Sequence, residues 1–394
     1  MKILIHDRPG YAFSIELSRE LARRGHRVLH LYDGYFQSPK GLLEKQADDS
    51  SLFAIQELKI GKPLQKYSFV KRWFQEREYG RLVARRIEEF QPEAILSANT
   101  PPDAQAIIFN RSQKVNAKFI SWVHDIHGLA IGNFFGAKYP FIGKLIGDFY
   151  LRRERSVIAR SHQIVLITED FLPLMAKWRI AKEKLHIIPN WAPIERIPLR
   201  PKDNQWSRAH NISDKFCFLY AGTLGLKHNP NVLLQLALHF KKDENVQVVV
   251  VSEGLGAEWL QQQKNQYKLQ NLSIIPYQPL NIFPEVLASA DVLMAILTPD
   301  AGQFSVPSKV LSYLCARRPL LLAIPADNLA ARIVTDNNAG MVTSAVDVQS
   351  FIAAAEALYN NRSQREKFAD NALAYAQKHF NLSTIGDKFE QILR

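Results

Sequence analysis

This 394-residue chain predicts two doubly wound α/β halves of Rossmann-like type, each with a parallel sheet, facing across a cleft. Three observations predict it. Short apolar runs alternate with amphipathic stretches through the first half of the chain. The alternation breaks between Ile187 and Ser213, where Pro189, Pro193, Pro198 and Pro201 precede Asp203, Asn204 and Asn211. It then restarts. Alternating strand and helix patterns argue for parallel sheets covered by helices, and the proline-rich break reads as a linker.

In the first half, strands are expected at Lys2–Ile5, Arg27–Tyr32, Leu52–Leu58, Ala94–Ser97, Lys118–Val123 and Gln163–Ile167. Helical stretches lie between them at Ser14–Arg24, Phe74–Phe90, Pro102–Ser112, Phe141–Arg160 and Asp170–Trp178. In the second half, strands are expected at Phe216–Tyr220, Val246–Val251, Leu272–Ile275, Val292–Ile296 and Leu320–Ile324. Helices are expected at Val232–Phe240, Glu258–Tyr267, Phe283–Ser289, Ser308–Ala316, Leu329–Thr335 and Val348–Asn360. The domains are placed at 1–195 and 196–378, with a last helix over about 379–394 that can pack back on the first domain. In sheets of this kind ligands bind at the carboxyl ends of the strands, so the site is sought in the loops that follow them.

Composition bounds the chemistry. The chain is 47% apolar and 22% charged, an ordinary globular balance, and long enough to bury a core without staples. Cys217 and Cys315 sit in apolar surroundings and read as buried thiols in a reducing compartment. With no CxxC pair and no HExxH, a metal site has no support. Asp7 and Arg8 interrupt the N-terminal apolar run, so no secretory signal is expected. No apolar run approaches the ~18 residues of a membrane span, so a cytoplasmic protein is expected.

The net charge of +12 is uneven. Residues 1–200 hold 32 Lys/Arg against 21 Asp/Glu, and residues 201–394 hold 18 against 17. A basic half can face anionic lipid or nucleic acid, or simply aid solubility. No RRM, KH or zinc-finger pattern organises the charge, which disfavours nucleic acid. Residues 62–86 interleave Lys62, Lys66, Lys71, Arg72, Arg77 and Arg81 with Tyr67, Phe69, Trp73, Phe74 and Tyr79. Residues 134–155 place Phe134, Phe135, Tyr139, Phe141, Phe149 and Tyr150 beside Lys138, Lys144, Arg152 and Arg153. Such stretches suit a membrane headgroup region, or are amphipathic helices with their aromatics turned inward.

Three loops of the second half could hold an anion. The first is Gly222-Thr223-Leu224-Gly225-Leu226-Lys227, with glycines for close backbone approach and a lysine for charge. The second is Ser252-Glu253-Gly254. The third is Ser305-Val306-Pro307-Ser308-Lys309, where Pro307 suits a helix entry and Ser305 or Ser308 could cap it. Free N–H groups there, with Lys309, would make a second anion site. In the first half, the fifth strand ends in His124-Asp125-Ile126-His127, and the first strand in a turn with Gly10 and Tyr11. Because adjacent strand residues alternate faces, His124 could point away from a site there.

The strings FLYAGTLGLKHN, VVSEGLG, PYQPLNIFPEVLASADVLM and VPSKVLSYLCARRPLL follow one another in order, after MKIL, ELARRGHRVLHLY, FISWVHDIHGLAIG and KLHIIPNW. Their order and spacing resemble the retaining GT-B glycosyltransferases of family 4, and within them the branch that includes colanic acid and capsule polysaccharide enzymes. The resemblance implies a second domain that binds a nucleoside diphosphate sugar. Gly222, Thr223, Lys227, Glu253, Gly254, Ser305, Pro307, Ser308 and Lys309 would be on the donor side, with no cofactor and no metal. It also implies that Asp125 first, then His127 and His124, contact the transferred sugar or the acceptor hydroxyl, with Gly10 and Tyr11 in the acceptor-side loop. The acceptor would be lipid-linked or a glycan, at the inner face of the plasma membrane.

The chain departs from the family pattern at three places. Thr223 stands where many members have arginine. Phe304 and Ser312 stand where many have a pair of glutamates, and Arg317 replaces a usual glycine. Competing readings are a non-hydrolysing nucleotide-sugar epimerase of the same fold and a noncatalytic subunit.

Overall fold

The apolar runs of the first half form strands because both of their faces are covered. The computed structural model describes residues 1–35, 41–61, 69–98, 100–138, 140–225, 228–298 and 307–394. In chain order the first half contains β1 (Lys2–Asp7), α1 (Ala12–Arg23), β2 (Arg27–Asp33), β3 (Phe53–Leu58), α2 (Phe69–Phe90), β4 (Ala94–Ala98) and α3 (Pro102–Lys114). It continues with β5 (Lys118–Val123), α4 (His127–Lys138), α5 (Pro140–Arg160), β6 (Gln163–Leu166), α6 (Leu172–Lys177) and β7 (Leu185–Ile187). Every pairing is parallel, in the order β3-β2-β1-β4-β5-β6-β7. The register sets Asp7 beside Ala98, and Ala98 beside Trp122. The ends of β1, β4 and β5 therefore lie in one row.

The second half contains α7 (Gln205–Ala209), β8 (Phe216–Ala221), α8 (Asn231–His239), β9 (Val246–Val251), α9 (Leu255–Tyr267), β10 (Leu272–Ile275), α10 (Phe283–Ala288) and β11 (Val292–Ile296). It ends with α11 (Ser308–Cys315), β12 (Leu320–Ala323), α12 (Leu329–Asp336), β13 (Gly340–Thr343), α13 (Val348–Asn360), α14 (Arg362–His379) and α15 (Leu382–Leu393). Its sheet is also parallel, ordered β10-β9-β8-β11-β12-β13. Val248, Val249 and Val250 are fully buried, as a strand covered on both faces requires, and each buried valine contributes about 1.5–3 kcal/mol. Cys217 and Cys315 are buried free thiols.

The chain divides into Met1–Asn190 with Leu382–Arg394, and Trp191–Asn381. Helix α15 therefore lies in the first unit. Arg24 donates to Asp387 at 2.5 Å and Glu390 at 3.2 Å, and Phe389 meets Trp122 edge-on at 5.0 Å. The boundary falls five residues before the expected one. The stretch read as linker carries structure of its own: Asn204 and Ser207 form a reciprocal cap at the start of α7.

Helix α4 was not expected from the sequence. Gly132 and Gly147 let α4 and α5 close to backbone distance, a Cβ on Gly147 standing 2.7 Å from the Gly132 Cα. The aromatic and basic stretches divide. Tyr79 and Tyr150 turn inward and are buried, whereas Phe74, Phe134 and Phe149 are 61%, 71% and 53% exposed. Lys62, Lys66, Tyr67 and Tyr139 lie outside the described residues, as do the side chains of Phe69, Lys138 and Phe141. No helix among the described residues is long and apolar enough to cross a membrane.

Candidate active site

In each sheet the strand order reverses at one place, between β1 and β4 and between β8 and β11. Ligand sites of doubly wound sheets form at these switch points.

In the first unit, β1 carries His6 and Asp7 into the buried end of the sheet. Asp7 Oδ2 accepts from the Tyr11 N–H at 2.7 Å and from the Ser14 hydroxyl, both at the start of α1. Its Oδ1 is buried with no partner among the described residues, and burial pushes the carboxyl up to about 7. Next to it, buried Arg8 pairs with Asp33 at 3.0 Å and Glu76 at 3.8 Å. Gly10 has φ +73°; its carbonyl takes the Gly41 N–H, and Leu43 stands 2.8 Å from where a Cβ would be. The close approach Gly10 allows is thus to the chain's own Leu43.

The turn after β5 brings together the three residues singled out there. His124, Asp125 and His127 line one cavity of about 30 Å³ with Thr100 and Glu154, room for about one water. His124 thus belongs to this cavity. Its ring packs against Trp122 at 4.9 Å, Phe13 at 5.4 Å and Tyr11 at 6.4 Å. Burial first, and His127 second, hold its pKa at about 3. His127 as a residue is partly exposed, yet its Nε2 is shut from solvent, and burial with Arg72 and Arg8 lowers it to about 4. Both imidazoles are neutral at neutral pH, so they can exchange hydrogen bonds with a hydroxyl but hold no proton to give as imidazolium. Among the described residues neither Nε2 has a partner.

Sequence reasoning missed Glu154. Reaching from α5, it accepts from the His127 N–H at 3.1 Å and the Gly128 N–H at 2.9 Å, closing the N-terminus of α4. Burial raises its carboxyl to about 7 against those two hydrogen bonds. An acid within an arginine-rich helix reads as a solvated face, so the sequence carried no clear signal for it.

In the second unit, the turn after β8 meets the start of α11. Gly222 has φ +129°, and Lys309 Cε and Nζ stand 3.0 and 3.1 Å from where its Cβ would be. Only glycine leaves that place to the lysine. Lys309 Nζ donates to the Tyr220 hydroxyl and, at 3.3 Å, to the Thr223 carbonyl. The β8–β11 pairing stops at Leu219, and the Tyr313 hydroxyl takes over at Ala221, accepting from its N–H at 2.8 Å and donating to its carbonyl at 2.7 Å. Tyr313 lies one turn after Lys309, so the same helix face ties both to the turn. Thr223 is exposed and its hydroxyl accepts from Tyr277 at 3.0 Å, while the Tyr277 N–H donates to Glu253 at 3.2 Å. Gly254 begins α9. Neither Tyr220, Tyr277 nor Tyr313 was singled out from the sequence.

One expectation changes here, and one departure gains a local account. Pro307, not a serine, takes the cap position of α11, and no side chain caps it; Ser308 is the first helical residue. Arg317 adopts φ +51° and bonds Asp370 at 2.7 Å on α14, which accounts for a glycine being usual at a left-handed position. Lys227, Phe304 and Ser305 lie outside the described residues.

Residues 13–196 match the family model described as Glycosyltransferase Family 4, and residues 202–374 the model described as Glycosyl transferases group 1. No curated protein sequence matches significantly. Among solved structures, the Anabaena protein HepE in complex with UDP is 16% identical, with TM-score 0.72 over 100% of this chain and 99% of its own. Sucrose-phosphate synthase from Thermosynechococcus elongatus is 13% identical, with TM-score 0.75 over 100% and 98%. WaaG, a glycosyltransferase involved in lipopolysaccharide biosynthesis, is 15% identical, with TM-score 0.68 over 99% of each chain. At these identities the likeness is one of fold. The two models match one after the other across most of the chain and both describe glycosyltransferases, which disfavours the epimerase reading. The chain is a glycosyltransferase of the GT-B fold.

Proposed function

We propose that this enzyme transfers a sugar from a uridine diphosphate sugar to a lipid-linked or glycan acceptor in cell-surface polysaccharide synthesis, with retention of configuration and without a metal. The observation that carries the donor reading is Lys309 lying across the Gly222–Thr223 turn at the β8/β11 switch point. A diphosphate there meets an ammonium, the positive end of the α11 dipole, and a backbone that glycine lets come close. Lys227, proposed from the sequence alone as a second cation for the diphosphate, lies outside the described residues. Uracil is proposed because structures of the same fold hold UDP.

The reaction breaks the bond between the anomeric carbon and the diphosphate oxygen. It forms a bond from that carbon to the acceptor oxygen, and the acceptor proton passes to the departing diphosphate. Lys309 and the helix N-terminus stabilise the developing charge, the largest task of the step. Asp125 and the neutral His127 and His124 orient the transferred sugar or the acceptor hydroxyl by hydrogen bonds. The exposed Phe74, Phe134 and Phe149, with exposed Lys71 and Arg72, support docking on an anionic leaflet that presents the acceptor.

A titration of UDP, GDP and ADP by calorimetry tests the donor. UDP is expected to bind tightest, and binding of none of them would overturn the reading. An inverted product by NMR would rule out retention, and activity lost in chelator would rule out metal independence. Binding to anionic vesicles should weaken in a Phe74→Ser/Phe134→Ser/Phe149→Ser variant; equal binding to neutral vesicles would count against the docking surface.

A further inference from the structure

We propose that Tyr220 is a positioning residue that seats the Lys309 ammonium over the Gly222–Thr223 turn, a role that rests on the donor-site reading above. Tyr220 is fully buried at the end of β8, and its hydroxyl works in both directions. It donates to the Thr223 carbonyl at 2.7 Å and accepts from Lys309 Nζ. The ammonium also stands 3.7 Å from the centroid of the Tyr220 ring, a cation–π distance, and 3.3 Å from the same Thr223 carbonyl. One side chain therefore fixes both the carbonyl orientation of the turn and the charge laid across it.

Lysine is a flexible cation whose head is free to sweep unless something holds it. Here the phenol hydroxyl, its ring and the vacancy of a side chain at Gly222 together define one seat. A diphosphate arriving at the turn meets a charge already in place, so less freedom is lost on binding. The seat also fits lysine in particular. Lys309 approaches the would-be Gly222 Cβ to 3.0 Å, which leaves no room for a planar guanidinium in the same position.

The test is a double-variant cycle on the full chain, read as UDP affinity by calorimetry, with uridine as a probe that lacks the charge. Lys309→Met should weaken UDP at least about tenfold, the scale of losing a charge-assisted hydrogen bond. Tyr220→Phe keeps the ring and should weaken UDP about threefold to tenfold while leaving uridine unchanged. In the Lys309→Met background, Tyr220→Phe should cost much less than it does in the wild type, only what loosening the Thr223 carbonyl costs. A double variant whose loss is the product of the two single losses would show a merely structural tyrosine and overturn the proposal. Wild-type affinity in Tyr220→Phe would overturn it as well. Unchanged UDP affinity in Lys309→Met would instead remove the donor-site reading on which it stands. Should Tyr220→Phe fail to fold, Lys309→Arg decides: charge kept but seat lost is expected to bind UDP more weakly, and wild-type affinity there refutes the seat.

Discussion

The turn after β5 and the turn after β8 end the same kind of strand, yet they handle charge in opposite ways. The first is sealed. Glu154 is spent on two backbone N–H groups, both histidines are held neutral, and His124 is walled by Trp122, Phe13 and Tyr11. The second is open. Thr223 is exposed, and a cation lies across a glycine that makes room for it. A sealed, neutral turn suits a part that must hold hydrogen-bonding groups in fixed geometry. An open, cationic turn suits a charge that arrives with each donor and leaves with each product. Glu154 at the first turn is therefore expected to matter mostly for stability, and Lys309 at the second mostly for transfer.

The largest effect is expected at Lys309. Lys309→Ala should cut transfer about 10²–10³-fold, as loss of one preorganised charge-stabilising donor does elsewhere, with Tm nearly unchanged. Tyr220 keeps its bond to the Thr223 carbonyl, so no buried hydroxyl is orphaned. Steady-state rates and a melting curve on the same sample check both halves, and more than a tenth of wild-type activity would contradict the assignment.

Glu154→Ala should behave the other way round. It leaves the His127 and Gly128 N–H groups without their acceptor, at a cost of about 1–3 kcal/mol. In a unit of this size that lowers Tm by roughly 2–12 °C. Glu154→Gln, which keeps one acceptor oxygen, should fall between. If Lys309→Ala melts lower than Glu154→Ala, the division between the two turns fails.

A third effect is in pH. Burial holds His6, His30 and His124 at about 3 and His127 at about 4, so between their unfolded value of 6.5 and those pKa values only the unfolded chain takes up the protons. Their stabilisation is complete above 6.5 and is lost as the pH falls. Asp7 and Glu154, raised to about 7, act oppositely: they favour the folded chain at low pH and lose that as the pH rises towards 7. The histidines outnumber the carboxyls, so Tm should drop between pH 6.5 and 5. A Tm that rises over that range would mean that the histidines are not held neutral.

Much of this was legible in the sequence because both sheets are covered on both faces, which writes each inner strand as a continuous apolar run. Val248–Val251 is the clearest case. Elements without that imprint were lost. β7 and β13 are short, half-buried edge strands of three and four residues. α4 is apolar around most of its circumference and interrupted by glycines four apart, so it shows no amphipathic period and reads as a turn. The candidate site was legible where charge follows a strand end, as at His124–His127, which the fold gathers on one cavity. It was not legible where the partner comes from far along the chain. Glu154 and the tyrosines at 220, 277 and 313 look like ordinary helix and strand residues until the fold carries them to a turn.

The smallest effect concerns the position where this chain departs from its family. Thr223→Arg restores a cation beside the donor turn. Thr223 is exposed, and the bond it gives up, to the Tyr277 hydroxyl, is itself exposed, so the loss should be slight. The gain should also be modest, because an exposed ion pair is worth about 0.2–1 kcal/mol, or roughly 1.4-fold to fivefold in UDP affinity. It should fade as salt is raised, since screening acts on exposed charges first. The seated Lys309 should lose less affinity over the same salt range, because its ammonium is half-buried against Tyr220. Isothermal titration of UDP with wild type and Thr223→Arg at low and high salt separates the two cations. A gain that survives high salt would mean that the turn closes around the diphosphate more than its exposure suggests. A loss at low salt would mean that Tyr277 and Thr223 hold the turn in the shape the donor needs, and that the turn after β8 is itself a fixed structure like the turn after β5.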